Sequence, residues 1–508
     1  MTLYESRDTT LRGAYWQYIS SISLVLIGGL FYIFLIHFYT TQIVGVFSLL
    51  SAITYLFSTI FTLGLLPGIQ HFISYHLGRG EDGTIKLLFR KFSIIGLTLS
   101  LLGFVTLWFL SPVLSTLFFH THAYLSYLRL IDVQLFPMIF LTFLLSILLG
   151  LQSFRLNGIL SLANNIIGYG LIIPLLLLNA DPIRIIYAWI IGYYVTTLLG
   201  LMLIHTRMKK YRSKGSDNVQ LRPILTYSVP MLISGLIGYG AIYVDRFIVS
   251  FLLNLSELGI YNFSLLIVNA LGLLIGPFGT ILFSRLSEFY GRNNMESFRL
   301  YSLKVSEILT AVYVPVTLIV ASLSPSILLF LANTSYLSGE GPIMIILITS
   351  SLTVSANVFA VTIQAIRKTR LFILSSSIAL LANFALSLLL IPHYGLNGAA
   401  VGYASPGIAN FLVIYYFSRK YGTFAFEFKT MLKIYGSGFV MFLLMLLVQD
   451  RLGYSILKLF TYIVTGFAVY FFLIRVTGAF SESDIDLFLT MIPQNYARAK
   501  KFFKSLFV

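Results

Sequence analysis

Three pairs of charged side chains fall inside long apolar stretches of the sequence: Arg129 with Asp132, Asp245 with Arg246, and Lys304 with Glu307. Spacing by three sets the first and third pairs on one helical face, where opposite charges can meet. A charge in hydrocarbon costs at least about 2.5–3.5 kcal/mol, so each pair is a candidate for function. Interfacial snorkelling or structural pairing would use the same residues. No bond-breaking set accompanies them. The chain has no cysteine, so there is no thiolate nucleophile or thiolate metal site. His71 and His76 lack the spacing of a zinc helix, and His120 with His122 falls in a short loop.

The elements that must position these pairs are membrane spans. Of the 508 residues 58% are apolar and 10% charged, against roughly 45–50% and 25% in soluble proteins. Fourteen predominantly apolar runs follow one another: 15–38, 42–66, 91–111, 124–150, 157–178, 184–205, 224–252, 257–283, 302–331, 341–366, 371–391, 395–418, 430–449 and 453–474. Each suffices to cross a bilayer, and the short connections leave no room for a soluble domain. The expected fold is all-α and polytopic, with about fourteen transmembrane helices.

Arg7 and Arg12 precede the first run, and no small-residue cleavage site ends it, so it reads as a retained helix with a cytoplasmic N-terminus. With that orientation 29 of the 34 basic residues fall inside, while Arg184, Arg451 and Lys458 fall outside and Arg129 and Arg246 lie within spans. The bias holds through alternate loops, which supports an even helix number and places both termini in the cytoplasm. The net charge of +16 is therefore chiefly a sign of topology. Nucleic-acid binding has no aromatic and basic motif behind it.

The chain also repeats itself. Gly45 and Gly259 match at an offset of 214, Gly78-Arg79 and Gly291-Arg292 at 213, and Gln152 with Arg155 matches Gln364 with Arg367 at 212. Gly64-Leu65-Leu66 before Pro67 is similar to Gly272-Leu273-Leu274 before Pro277. Residues 1–206 read as an N-terminal lobe of six helices, 207–222 as a basic cytoplasmic linker, and 223–420 as a C-terminal lobe of six. Residues 421–480 add two helices, and 481–508 form a basic amphipathic tail on the cytoplasmic surface. Six is even, so the lobes are parallel pseudo-symmetric repeats, an arrangement that commonly encloses an alternately exposed site. Pro67-Gly68 and Gly276-Pro277 are expected late in the second and eighth helices, where each bends its helix.

These landmarks resemble the polysaccharide and lipid-linked oligosaccharide flippases of the multidrug/oligosaccharidyl-lipid/polysaccharide transporter superfamily. The residues that carry the resemblance are Gly45-Val46-Phe47, Leu63-Gly64-Leu65 through Tyr75, Gln152 with Arg155, Val244-Asp245-Arg246, Gly259-Ile260-Tyr261 and, most specific, the run from Ile391-Pro392-His393-Tyr394-Gly395 through Ala400. The resemblance covers the whole chain. It implies alternating-access translocation of an undecaprenyl- or dolichyl-linked sugar chain from the cytoplasmic to the outer leaflet of the cell membrane, by a monomer without a cofactor.

A substrate of that class assigns roles to the charges. Arg129 and Arg246 are expected to attract the phosphate-bearing headgroup, with Arg12 beside the first helix to capture it. Asp132 and Asp245, and more weakly Lys304 and Glu307, would hold a gate or bind a coupling ion, H+ or Na+. Asn164, Asn165, Asn357, Gln364, Asn383 and Asn410 are candidates to line a sugar cavity or to bond between helices. A peptidoglycan-precursor flippase fits the same pattern. An ion-coupled drug exporter would favour carboxylates deep in the first lobe, where only Asp132 is found, near the outer surface. An enzyme would need an acidic or metal-binding constellation in a sizeable outer loop.

Overall fold

The computed structural model describes residues 22–23, 26–209, 211, 222–272, 275–368, 370–423, 426–453 and 456–480. Arg12, most of the 207–222 linker and the basic tail from 481 lie outside the described residues. The chain divides into two compact units at Gly259 and Ile260.

The first unit contains α1 (Leu26–Phe38), α2 (Thr41–Phe61), α3 (Leu65–Gly78), α4 (Asp82–Phe119), α5 (Leu125–Gly150), α6 (Phe154–Gly170), α7 (Ile172–Leu178), α8 (Ile183–Met208), α9 (Arg222–Leu252) and the start of α10 (Leu255–Gly272). Helix α5 is central to it, packing on α3, α4 and α8, and α9 packs on α2, α3 and α4. Because α4 has 38 residues, it is about 57 Å long and extends well beyond a hydrocarbon core of about 30 Å.

The second unit continues α10 and holds α11 (Gly276–Gly291), α12 (Met295–Ser322), α13 (Ser324–Leu331), a 3-10 turn at Thr334–Gly339, α14 (Glu340–Thr353), α15 (Ser355–Ala365), α16 (Arg370–Lys420), α17 (Phe428–Leu452) and α18 (Ile456–Thr477). The last two helices pack on each other and on α12, where the Tyr470 hydroxyl donates to the Ala311 carbonyl at 3.0 Å.

The all-helical architecture agrees with the apolar runs, but the helix breaks fall elsewhere than expected. Among the described residues eleven helices are long and apolar enough to cross a membrane, or twelve if the pair bent by 45° at 334–365 is one span. Two of the expected runs are not counted separately among these. Helix α1 is described only in part, and α16 is a 51-residue element broken at Gly395, whose φ of 56° and ψ of −131° are not helical.

Neither proline pair bends a long helix. The chain leaves α2 through Leu63 and Gly64, at φ 49° and 64°, and Pro67 falls in the first turn of α3, where its missing N–H costs nothing. Pro277 likewise opens α11. Gly64 meets two demands at once: a left-handed backbone, and a close approach in which a Cβ would overlap the Ser228 carbonyl and the Leu232 amide of α9. The repeat persists in the backbone. Arg79 and Arg292 each cap a short helix, and each is followed by a residue of positive φ, Gly80 and Asn293.

Two contacts hold these packings. Gly45 of α2 and Gly259 of α10 meet in the first unit, and a Cβ on either would strike the backbone carbonyl four residues before the other, Leu255 or Thr41. Small residues allow such backbone approach in a membrane, where apolar burial drives little association. In the second unit Lys304 Nζ lies 3.0 Å from Glu307 Oε2 and 3.9 Å from Glu427 Oε2, tying α12 to the segment ahead of α17. Glu307 is fully buried.

Gly45→Ala and Gly259→Ala should each cost about 1–3 kcal/mol through overpacking, read as a lower melting temperature in detergent. Gly436→Ala, at a position with open space around it, should not. Lys304→Met leaves the Glu307 carboxylate buried beside Glu427 and should cost on the order of 3 kcal/mol. Adding Glu307→Leu should recover most of that loss; an unchanged melting temperature in the single variant would show that the pair holds nothing together.

Candidate functional site

Four helices of the first unit enclose a cavity of about 80 Å3. Its walls are Ser51, Thr54 and Tyr55 from α2, Ile131, Gln134 and Met138 from α5, Asn164, Asn165, Gly168 and Tyr169 from α6, and Trp189 and Tyr193 from α8. Helix α6 approaches α8 where Gly192 faces Gly168, a Cβ on Gly192 lying 2.7 Å from the Gly168 Cα. That approach brings the Asn164-Asn165 face against Trp189 and Tyr193. The Thr196 hydroxyl donates to Asn164 Oδ1 at 3.0 Å and orients the carboxamide. Helix α1 supplies Phe31, whose ring centroid lies 5.2 Å from that of Tyr169 and 5.6 Å from that of Trp189.

One polar atom in the wall is unmatched. Gln134 is 6% exposed, and its Oε1 accepts no hydrogen bond from the described residues. A buried acceptor left unpaired costs about 1–3 kcal/mol, so a donor from water or ligand is wanted there. Neither Asp nor Glu lines the cavity.

An aromatic stack leads from the cavity to one of the two arginines inside spans. Tyr55 stacks on Tyr243 of α9 at 6.2 Å, Tyr243 on Tyr239 at 4.7 Å, and the Arg246 Cζ lies 4.3 Å from the Tyr243 ring centroid. The Tyr239 hydroxyl donates to the Ala52 carbonyl at 2.6 Å, pinning this face of α9 to α2. Tyr239, Tyr243 and Arg246 are spaced by four and three, so they form one stripe along the helix. Arg246 is 7% exposed and Asp245 fully buried.

The other arginine is set differently. Arg129 places its Cζ 4.1 Å from the Trp108 ring centroid on α4, and Asp132 accepts from the Ser111 hydroxyl, also on α4, at 3.0 Å. Both therefore engage the α4 side of α5, whereas Ile131 and Gln134 of the same helix line the cavity. Lys304 and Glu307 belong to the second unit. The structure thus sets Arg246 at the end of the stack that starts in the cavity wall, and brings neither Arg129 with Asp132 nor Lys304 with Glu307 into that wall.

Asn164 and Asn165 were expected as cavity candidates from the sequence and do line this one. Sequence reasoning missed Tyr55, Gln134, Tyr169, Trp189 and Tyr193. Tyrosine is too frequent here, with 32 in the chain, for any one to stand out. The spacing of Tyr239, Tyr243 and Arg246 by four and three is the kind of periodic signal by which an aromatic stripe can be read from sequence. Among the described residues no group of three or more metal-ligating side chains comes together.

Residues 10–290 match the polysaccharide biosynthesis protein family. No curated protein matches the chain. Among solved structures the fold is similar to the lipid II flippase MurJ in an inward closed conformation, with a TM-score of 0.73 and 17% identity over 92% of this chain and 98% of that one. It is also similar to a multidrug resistance MATE family transporter of the MOP superfamily in its inward-facing conformation, at 0.66 and 14% over 78% and 94%. An outward-facing conformation of a MATE transporter matches at 0.52 and 16% over 80% and 92%. At identities this low these likenesses show a shared fold alone. The family match extends over more than half of the sequence, and the chain belongs to the polysaccharide biosynthesis protein family.

Proposed function

We propose that the protein flips a polyprenyl-(di)phosphate-linked oligosaccharide or polysaccharide repeat unit from the cytoplasmic to the outer leaflet of the cell membrane, with Arg246 meeting the anionic headgroup and the tyrosine and carboxamide cavity meeting the sugar. The observation that carries this reading is the cavity wall. Aromatic faces beside Gln and Asn side chains suit a polyhydroxylated ring, whose C–H faces stack and whose hydroxyls pair with carboxamides. The unpaired Gln134 Oε1 is an acceptor waiting for such a hydroxyl. A wall without Asp or Glu gives a cationic drug no carboxylate counter-ion.

At about 80 Å3 the cavity is smaller than the roughly 150 Å3 that admits benzene. It takes a few waters or one edge of a ring, and admitting a whole sugar requires its helices to part. That is the expected behaviour of an alternating-access site seen in a closed state. The polyprenyl tail stays in lipid throughout. With the inside-positive orientation, an anionic headgroup moving outward gains about 2.3 kcal/mol per charge per 100 mV from an inside-negative potential. The membrane potential therefore suffices as a drive, with proton or sodium antiport through Asp132 or Asp245 as the competing one.

The test is reconstitution in liposomes with a labelled undecaprenyl-diphosphate glycan. Gln134→Leu and Tyr55→Ala should each lower the flipping rate about tenfold, as expected for one lost hydrogen bond or stacking face. Arg246→Ala should lower it further and Arg246→Lys should restore it in part, because lysine keeps the charge but not the planar stack on Tyr243. Rates equal to the parent in all of these would remove the cavity from the pathway. Movement of a cationic drug with no polyprenyl-linked substrate moved would overturn the function itself.

A further inference from the structure

A second cavity, of about 440 Å3, opens in the first unit between the start of α4 and the end of α8. Lys86 and Arg90 enter it from α4, His205 and Lys209 from α8, and Gly83, Leu87, Phe89 and Met208 complete the wall. Spacing by four places each basic couple on one face of its helix. Among the described residues none of these four side chains has an ion-pair partner. The carboxylates nearest in sequence are engaged elsewhere. Glu81 lies 2.5 Å from His76 and 2.7 Å from Arg79, and Asp82 lies near Tyr211. Three fixed positive charges and a histidine around one cavity repel one another and call for an anion.

What adjoins the cavity says which anion. Along α4, Ile94, Leu97 and Leu101 continue the face of Arg90 at helical spacing, and all three are exposed. Along α8, Met202, Leu198 and Val195 continue the face of His205 and are exposed as well. The cations thus lie at the foot of two aliphatic stripes, with Leu87, Phe89 and Met208 at the junction. A soluble phosphate would leave those stripes unused, whereas a phospholipid covers them with its chains while its head fills the basic end. The same residues fall on the face that the charge bias assigns to the cytoplasm. We propose that this cavity is a binding site for a resident anionic phospholipid, its phosphate held by Lys86, Arg90 and Lys209 and its acyl chains lying along α4 and α8.

The full-length protein is reconstituted in nanodiscs of equal phosphatidylglycerol and phosphatidylcholine, and the lipid it retains on extraction is counted by native mass spectrometry. The parent should retain one phosphatidylglycerol in preference to phosphatidylcholine. Each cation near an anionic group is worth about a factor of five, so Lys86→Gln with Arg90→Gln and Lys209→Gln should lower that preference on the order of a hundredfold. A charge-matched variant of the second unit, Arg370→Gln with Lys420→Gln and Lys429→Gln, should keep it. In the parent itself 1 M NaCl should abolish the preference, which tests the site without any substitution. Equal retention by the two variants, or a preference indifferent to salt, would overturn the assignment. So would displacement of the lipid by millimolar inorganic phosphate, marking a soluble-anion site, or by equimolar undecaprenyl diphosphate, marking a substrate site.

Discussion

A guanidinium that keeps only 7% of its surface exposed, as Arg246 does, must be solvated by the protein around it. One desolvated cation–π contact is worth about 2 kcal/mol, comparable with the cost of the charge on insertion scales, but only if the ring is held still. Tyr243 is held from both sides, by Tyr239 on its own helix and by Tyr55 on α2, and Tyr239 is anchored in turn on the Ala52 carbonyl. The requirement to stabilise one charge therefore fixes how α9 lies on α2. It also fixes where Tyr55 points, and Tyr55 is a wall of the cavity. Charge, helix packing and cavity are three consequences of one stack.

The two arginines inside spans are equal by residue type and unequal by environment. Arg129 rests on Trp108, half-buried, with Asp132 beside it taking a hydroxyl from Ser111. These contacts are all made between α4 and α5, the pair of helices that any static packing of the unit would join. Arg246 instead stacks on a ring whose other neighbour faces open space. The stack therefore separates the two residues where sequence spacing could not: Arg246 is joined through Tyr243 and Tyr55 to the cavity wall, and Arg129 is not.

The spans were legible because a hydrocarbon core demands length and apolarity, and both survive in α5, α8, α9 and α17 to within a few residues. The breaks were less legible because the usual cue misleads. Proline attracts a predicted kink, yet the chain turns at Leu63 and Gly64, and Pro67 merely follows the turn. The repeat was readable from Gly78-Arg79 and Gly291-Arg292, since a helix end imposes local requirements that two equivalent segments meet alike. The cavity was not. Its aromatic walls come from α2, α6 and α8, each contributing residues unremarkable within its own helix, and only the tertiary approach at Gly168 and Gly192 brings them together.

Side chains such as Leu177, Phe109 and Met202 are 83%, 75% and 63% exposed, while Asp132, Asp245, Glu307 and Asn383 are fully buried. In water that distribution would drive aggregation; in lipid the outer surface costs nothing, and the polar interior has to be satisfied from within. Many of its hydroxyls do this locally, as Ser100, Thr54 and Thr310 donate to the carbonyl four residues earlier. Such groups bind each helix to itself and leave it free of its neighbours. The contacts that join helices are fewer and specific: a glycine against a carbonyl, a tyrosine hydroxyl on a backbone oxygen, a lysine between two glutamates. A structure joined in this way can move whole helices past one another by exchanging a small number of contacts. A cavity too small for a sugar ring can therefore widen without unfolding any of the helices that line it.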